Sequence, residues 1–477
     1  MISCFLKEQK RYTQGELAGL FKLTDAELVP ILRRLKALGV LKALNAATAP
    51  KDFTELTEED IDVSEVVAHD DARDYVFTFV GILVISGRIL KCYPKYLSAK
   101  APSVETLKQI LRVLEKYQKS EAQHLTVYEE RAEIGQFHFL SLLFALLQDY
   151  FEHGLYTHTQ DLIEDNGRGE ILWERTINTT TAYFNRGEPY YLETKTKRRS
   201  LDDANLITQL HKVVLTQASR LLREAELLEF FDLTEVDLTE ETLENLGSDE
   251  ALVSLLENEL RSQFNTRKQW VLQSLIAYLT QARSEHSFGD VLFFGTTCFY
   301  HVWEVVCATT LDNQLPKPLR DLPLPERPEG ESLQGRLLDL IEKPLWSATQ
   351  TRAQSTLIPD IVSLSGTQFI IIDAKYYTPK LELGKVPEGQ PGIESITKQY
   401  LYQLAYQPFI EQHGFKTVRN CFVMPTDSPE VEKRGEVRLD MFTQMGLAPI
   451  EVRFLPAHWV FELYLKGEKI ALEALDL

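Results

Sequence analysis

The chain has 477 residues, 44% hydrophobic and 25% charged, with a formal net charge of −19. That length exceeds one hydrophobic core, so two to four domains are expected, and the composition excludes a disordered or fibrous chain. Thirteen acidic residues fall between Glu224 and Leu260, a stretch without Lys or Arg, so the acidity is largely local and does not exclude a DNA-facing surface elsewhere.

The chain opens with "YTQGELAGLFKLTDAELVPILRRLKALGVLKAL" over 12–44. Thr13 with Glu16, and Thr24 with Glu27, have the spacing of capping boxes that start two helices. Leu28, Ile31, Leu32 and Leu35 recur at helical spacing, Gly39 stops the helix, and "VLKAL" begins a strand. Helix, turn, helix and strand predict a winged-helix-like module over 1–50, a type that contacts either DNA or protein. A mixed α+β domain is expected over 51–160. It comprises an acidic linker (51–74), a β-hairpin turning at Ser86-Gly87 within 75–97, and helices over 104–119 and 139–151.

A middle region of strands and helices with an acidic segment is expected over 161–284. "ILWERTINTT" and "PYYLETKTKRR" read as strands. The second ends in Lys195, Lys197, Arg198 and Arg199, which suit phosphate contacts or a solvated strand end equally well. Helices over 201–224 and 250–283 flank the acidic stretch, which presents a solvent face or a partner face.

From 285 to 477 the pattern becomes that of an α/β core. "FGDVLFFGTTCFYHVWEVVCATTL" reads as one apolar helix. A Pro-rich loop (315–328) leads to the hairpin "LIPDIVSLSGTQFIIIDAKYY" (357–377) and a Gly/Pro loop (384–392). The helix "IESITKQYLYQLAYQPFIEQ", the buried strand "TVRNCFVMPT", and "IEVRFLPA" with "HWVFELYLKGE" complete the chain.

The hairpin carries chemistry. With Ser365-Gly366 as a two-residue turn, Asp360 lies opposite Ile371, and alternation places Asp360, Asp373 and Lys375 on one face. The two aspartates are then diagonal neighbours with Cβ atoms about 7 Å apart or less. Carboxylates so close repel unless a cation sits between them, and Mg²⁺, with Mn²⁺ as the alternative, suits such hard oxygen ligands. Lys375 can stabilise charge developing on a scissile phosphate or orient the attacking water. Tyr376, Tyr377 and Tyr406 read as core or rim.

The spacing P-D-x12-D-x-K resembles the catalytic signature of the PD-(D/E)xK nuclease superfamily. The resemblance implies that an acid on the preceding helix completes the metal site, and Glu304 in "FYHVWEVV" is the candidate. It also implies that a Gln or Tyr on the following helix meets the water or the DNA backbone. Gln399 and Gln403 stand one turn apart there, where polar faces are also ordinary solvent faces.

"FTFVGILVISGRILKCYPKYL", "ILWERTIN" and "PDIV…IIDAKYY", in that order, are similar to the LlaJI-type restriction endonuclease family, which is akin to the McrC subunit of McrBC systems. That resemblance implies a restriction (phage-defence) endonuclease acting on double-stranded DNA with a separate AAA+ GTPase or ATPase. No G-x-x-x-x-G-K-[ST] loop occurs in this chain, in keeping with such a division of labour. A non-catalytic DNA-binding or motor-adaptor protein is the alternative reading. None of the five cysteines forms a C-x-x-C pair, and no apolar run approaches the ~18 residues of a membrane span, so a cytoplasmic protein with reduced thiols is expected.

Overall fold

The computed structural model describes residues 2–45, 73–125, 139–201, 205–224, 226–288, 291–328, 334–353 and 355–475. The chain divides into one unit built from residues 1–137 and 292–477 and another built from 138–291. The expected acidic linker lies outside the described residues except for Arg73 and Asp74.

The first unit opens with β1 (Ile2–Lys7), β2 (Arg11–Tyr12), α1 (Gln14–Phe21), α2 (Asp25–Ala37), β3 (Leu41–Asn45), β4 (Arg73–Phe77), β5 (Val80–Ile85), β6 (Arg88–Tyr93) and α3 (Val104–Leu125). Both capping boxes form: Thr13 N donates to Glu16 Oε2 at 2.9 Å, and Thr24 N to Glu27 Oε2 at 3.0 Å. Leu28, Ile31, Leu32 and Leu35 are the buried stripe of α2. β4 pairs antiparallel with both β2 and β3, so the helix pair and three short strands form one module. Its last strand lies beyond residue 50, past the sequence-based boundary. The hairpin β5–β6 turns at Ser86 and Gly87 with φ of 47° and 72°, the left-handed pair that matches strand twist.

The second unit contains α4 (Phe139–His153), β7 (Thr159–Asp165), β8 (Glu170–Ile171), α5 (Trp173–Thr179), β9 (Ala182–Asn185), β10 (Glu188–Tyr191), β11 (Lys195–Leu201), α6 (Leu206–Glu224), α7 (Leu243–Leu246), α8 (Asp249–Ser262) and α9 (Thr266–Phe288). Here the structure departs from the sequence reading three times. "PYYLETKTKRR" is not one strand but the ends of two, β10 and β11, parted at residues 192–194. "ILWERTINTT" is mostly the helix α5, whose Thr179 and Thr180 hydroxyls donate to carbonyls four residues back, while Thr176 Oγ1 accepts from Lys195 N at 2.9 Å. The Lys195 bond ties this helix to β11, a tertiary context that overrides the strand preference of its β-branched residues. The helix expected over 250–283 is two helices broken at Gln263–Asn265, where the Gln263 side chain accepts from the amides of Phe264 and Asn265.

β12 (Val291–Thr296) leads back into the first unit as an edge of the sheet β1-β6-β5-β12. The apolar segment read as one helix is therefore a strand followed by α10 (Phe299–Thr310). Gly295 makes the strand possible. It has φ +158°, and a Cβ there would sit 2.2 Å from Val80 O. The four segments expected from sequence do not coincide with the two units, because β12 is joined to strands some two hundred residues earlier.

The rest of the first unit is β13 (Leu345–Trp346), β14 (Thr351–Arg352), β15 (Ile361–Ser365), β16 (Gln368–Ala374), α11 (Ile393–Gln412), β17 (Thr417–Thr426), β18 (Glu432–Val437), α12 (Asp440–Gln444), β19 (Ile450–Pro456) and α13 (Ala457–Lys466). A five-stranded sheet runs β15-β16-β17-β19-β18, with β16, β17 and β19 parallel. Phe369 and Ile371 pack with Tyr402, Tyr406 and Phe409 of α11. Tyr376, of the opposite parity, packs on Phe299 of α10, which also meets Phe461 of α13. The sheet thus lies between α11 and the pair α10 and α13.

Candidate active site

β16 is buried along nearly its whole length, as a strand flanked by neighbours and covered by helices must be. Alternation continues the α11-facing row Phe369, Ile371 into Asp373 and Lys375. The expected register is corrected. Ser365 pairs with Gln368, so Gly366-Thr367 is the turn, with Gly366 at φ +55°. The ladder ends at Ile361 opposite Ile372, and its next rung sets Asp360 across from Asp373 rather than from Ile371. The shared face survives the two-residue shift, because parity is unchanged. The carboxylates come closer, as directly opposed residues have Cβ atoms about 5 Å apart.

Three bonds fix Asp360. Ala374 N donates to its Oδ2 at 2.9 Å, and its carbonyl accepts from Asn313 Nδ2 at 3.1 Å. Its carboxyl also hydrogen-bonds Asp373. Burial raises its pKa to about 9. The bond to Asp373 and the charges of Asp373 and Glu304 add to the rise, against Lys375. Lys375 Nζ lies 3.0 Å from Asp373 Oδ2, and both side chains are largely withdrawn from solvent. Burial acts to discharge the ammonium, but the charge and hydrogen bond of Asp373, with Asp360 behind, outweigh it and hold its pKa above the ordinary value.

The other expected residues divide. Gln399 is fully buried. Its Nε2 donates to Ile371 O at 2.9 Å, and its Oε1 has no hydrogen-bond partner among the described residues. Gln403 is used by the fold: its Oε1 accepts from Asn420 Nδ2 at 2.7 Å and from Ala448 N at 3.2 Å, which ties α11 to β17. Glu304 comes from the layer opposite α11, accepts a hydrogen bond from His301 Nδ1 at 3.0 Å, and acts on Asp360 through its charge. Among the described residues, no three His, Cys, Asp or Glu side chains form a ready metal cage. The donor set that fits a hard cation is the opposed pair Asp360 and Asp373, where a divalent ion would remove the repulsion of two buried charges.

Two residues escaped the sequence reading. Tyr402 is buried three residues after Gln399, and burial followed by the charges of Asp373 and Asp360 raises its pKa. The i, i+3 spacing was the available signal. Asn313 holds the Asp360 backbone and accepts from Val362 N at 3.1 Å, a role that depends on a loop no periodicity reveals.

The basic cluster lies in the second unit and is largely neutralised. Lys195 pairs with Asp165, Lys197 with Asp161 at 2.6 Å, and Arg198 with Glu164 at 3.1 Å, all across β7 and β11. Cross-strand acids, invisible in a linear reading, weaken its case as a phosphate contact.

Residues 79–329 and 331–458 match the family model described as LlaJI restriction endonuclease. A curated relative, the Type II restriction enzyme BsuMI component YdjA of Bacillus subtilis (strain 168), is 25% identical over 428 residues, covering 86% of this chain and 85% of that protein. Among solved structures, a half-complex from a tetradecameric assembly of Thermococcus gammatolerans McrB AAA+ hexamers with bound McrC aligns over 98% of this chain and 99% of that one, at 16% identity and a TM-score of 0.41. The cryo-EM structure of the Thermococcus gammatolerans McrBC complex aligns over 61% and 82%, at 16% identity and a TM-score of 0.25.

Proposed function

The chain belongs to the LlaJI restriction endonuclease family, and from that premise we propose that it is the DNA-cleaving subunit of a restriction system, a divalent-metal-dependent phosphodiesterase working with a separate AAA+ NTPase. The observation that carries this reading is the cluster at the end of β16: two opposed aspartates with a charged lysine on the same face of a buried strand. Two carboxylates buried side by side, one of them with its pKa raised by burial, are costly to the fold and typical of functional sites.

Asp360 and Asp373 would hold Mg²⁺ or Mn²⁺, and Glu304, whose charge acts on Asp360, would reach a water of that ion. When bound, such an ion would polarise the scissile phosphate and make water a better nucleophile. Ala374 N keeps the Asp360 carboxylate aimed into the site. Lys375, held as an ammonium, suits the stabilisation of negative charge on the phosphate better than the removal of a proton. Gln399 has an amide oxygen free to receive a hydrogen bond from the attacking water, and its amide nitrogen fixes that orientation. The winged-helix-like module and the PD-(D/E)xK character of the core belong to the same proposal, as does a cytoplasmic location. That an AAA+ partner is needed is supported by the lack of a phosphate-binding loop in the chain.

The test is cleavage of plasmid DNA by the full chain with and without an AAA+ restriction partner, in MgCl₂ or in EDTA, with GTP or ATP. Nicking or cutting that requires the divalent ion and disappears in Asp373→Ala is expected. Cutting that persists in EDTA would overturn the metal-dependent reading.

A further inference from the structure

Lys375 stands one residue past the end of β16, at the last bond that ties the strand to β17. Its own amide donates to Val423 O at 2.9 Å. The next residue, Tyr376, points to the opposite face and is held there by the N-terminal part of the unit. The Tyr376 hydroxyl donates to Glu8 Oε2 in a buried hydrogen bond. Lys95 N donates to the same carboxylate oxygen at 3.1 Å and to the Tyr376 hydroxyl at 3.2 Å. The Lys95 ammonium lies 4.8 Å from the Tyr376 ring centroid and donates to Gln9 Oε1 at 3.0 Å. Glu8 and Lys95 are 4% and 7% exposed, so both are desolvated groups in a contact that apolar side chains could have made more cheaply.

We propose that Glu8 is a positioning residue for Lys375: by accepting the Tyr376 hydroxyl, it lets the N-terminal module fix the strand end from which the lysine reaches Asp373. Lys375 and Tyr376 are adjacent and point to opposite faces, so anchoring one side chain sets the backbone that aims the other. An apolar contact would hold the module on the core but would tolerate sliding. A directional bond to a buried carboxylate does not. The N-terminal module is thereby part of the cleavage apparatus.

The inference rests on the proposed nuclease site, and the experiment separates the two. Full-length Tyr376→Phe, Glu8→Ala, Glu8→Gln and Asp373→Ala are compared in single-turnover cleavage of plasmid DNA in MgCl₂, with the AAA+ partner and nucleotide present. Tyr376→Phe and Glu8→Ala should slow the maximal rate about ten-fold or more, as small misplacements of a reacting group do, with half-maximal DNA concentration unchanged. Glu8→Gln, which keeps an acceptor oxygen, should recover most of the rate. Backbone hydrogen exchange of the peptide 369–377 should quicken in Tyr376→Phe more than exchange elsewhere in the same unit, beyond what its fall in melting temperature explains, a readout that needs no cleavage. Wild-type rate in Tyr376→Phe alongside inactive Asp373→Ala overturns the positioning role, as does unchanged exchange in 369–377. Wild-type cutting by Asp373→Ala overturns the site itself, and the inference with it.

Discussion

Burial and the neighbouring Asp373 raise the pKa of Asp360, and this links fold stability to pH. Its pKa in the folded chain is raised to about 9, well above that of an exposed aspartate. The folded state therefore binds the proton more tightly than the unfolded one. Its stabilising effect is fully present below the ordinary aspartate range and is lost as pH rises towards 9, by up to about 1.4 kcal/mol per pH unit. Asp360→Asn mimics the protonated form. Thermal unfolding in EDTA should show the variant gaining on the wild type steadily from pH 5 to pH 8.5, while cleavage is lost. A parallel pair of curves would refute the link. At the same scale, Asp373→Ala and Lys375→Ala should each abolish cleavage with the far-ultraviolet circular dichroism unchanged, because both side chains lie at the strand end. Wild-type cutting by either purified variant would remove it from the site.

Among the elements, α11 carries two glutamines one turn apart with different duties. Gln403→Leu strips the acceptor from Asn420 and Ala448 N and should cost about 1–3 kcal/mol of stability. Its effect on cleavage per folded molecule should be small. Gln399→Leu should do the opposite if its amide oxygen serves the reaction: cleavage falls while the melting temperature drops only by the loss of one bond to Ile371 O. Chemical denaturation and single-turnover rates, measured together, check both. The contact of β5 with β12 supplies a contrast between glycines. At Gly295 a Cβ would strike Val80 O and the Phe79 ring, so Gly295→Ala should cost at least the 1–3 kcal/mol typical of overpacking. At Gly366 nothing lies within 4 Å, and Gly366→Ala should cost only the left-handed backbone penalty of about 1 kcal/mol. Equal losses in urea would show that backbone conformation, and not the close approach of the strands, sets the price.

Charge governs the expectations for the whole molecule. The net charge is −19, and Lys195, Lys197 and Arg198 of the strand-end cluster are paired with acids. Affinity for duplex DNA comes mainly from neutralised phosphates, so the chain alone should bind random duplex far more weakly than nanomolar at physiological salt. A fluorescence anisotropy titration that gave nanomolar binding would contradict this. Under the proposed function, DNA is delivered by another protein: specific cleavage by the chain alone should be weak or nil, and an AAA+ partner with GTP or ATP should switch it on. Robust nucleotide-independent cutting would mean that the N-terminal part reads DNA itself.

What the linear sequence determined by itself is local. The capping boxes at Thr13 and Thr24, the hairpin at Ser86-Gly87, the limits of α11 and β17, and the common face of Asp360, Asp373 and Lys375 all follow from spacing over a few residues, where backbone geometry leaves little freedom. Even the misplaced turn at Gly366 left that face intact, since a shift of two residues preserves parity. What tertiary structure alone decided is non-local. β12 reads as helix until a partner strand is known, because an apolar run satisfies either form. The basic strand end at Lys195 looks free until β7 lies beside it. The hold of Glu8 on Tyr376 joins residues 368 positions apart, a distance over which sequence carries no geometric constraint.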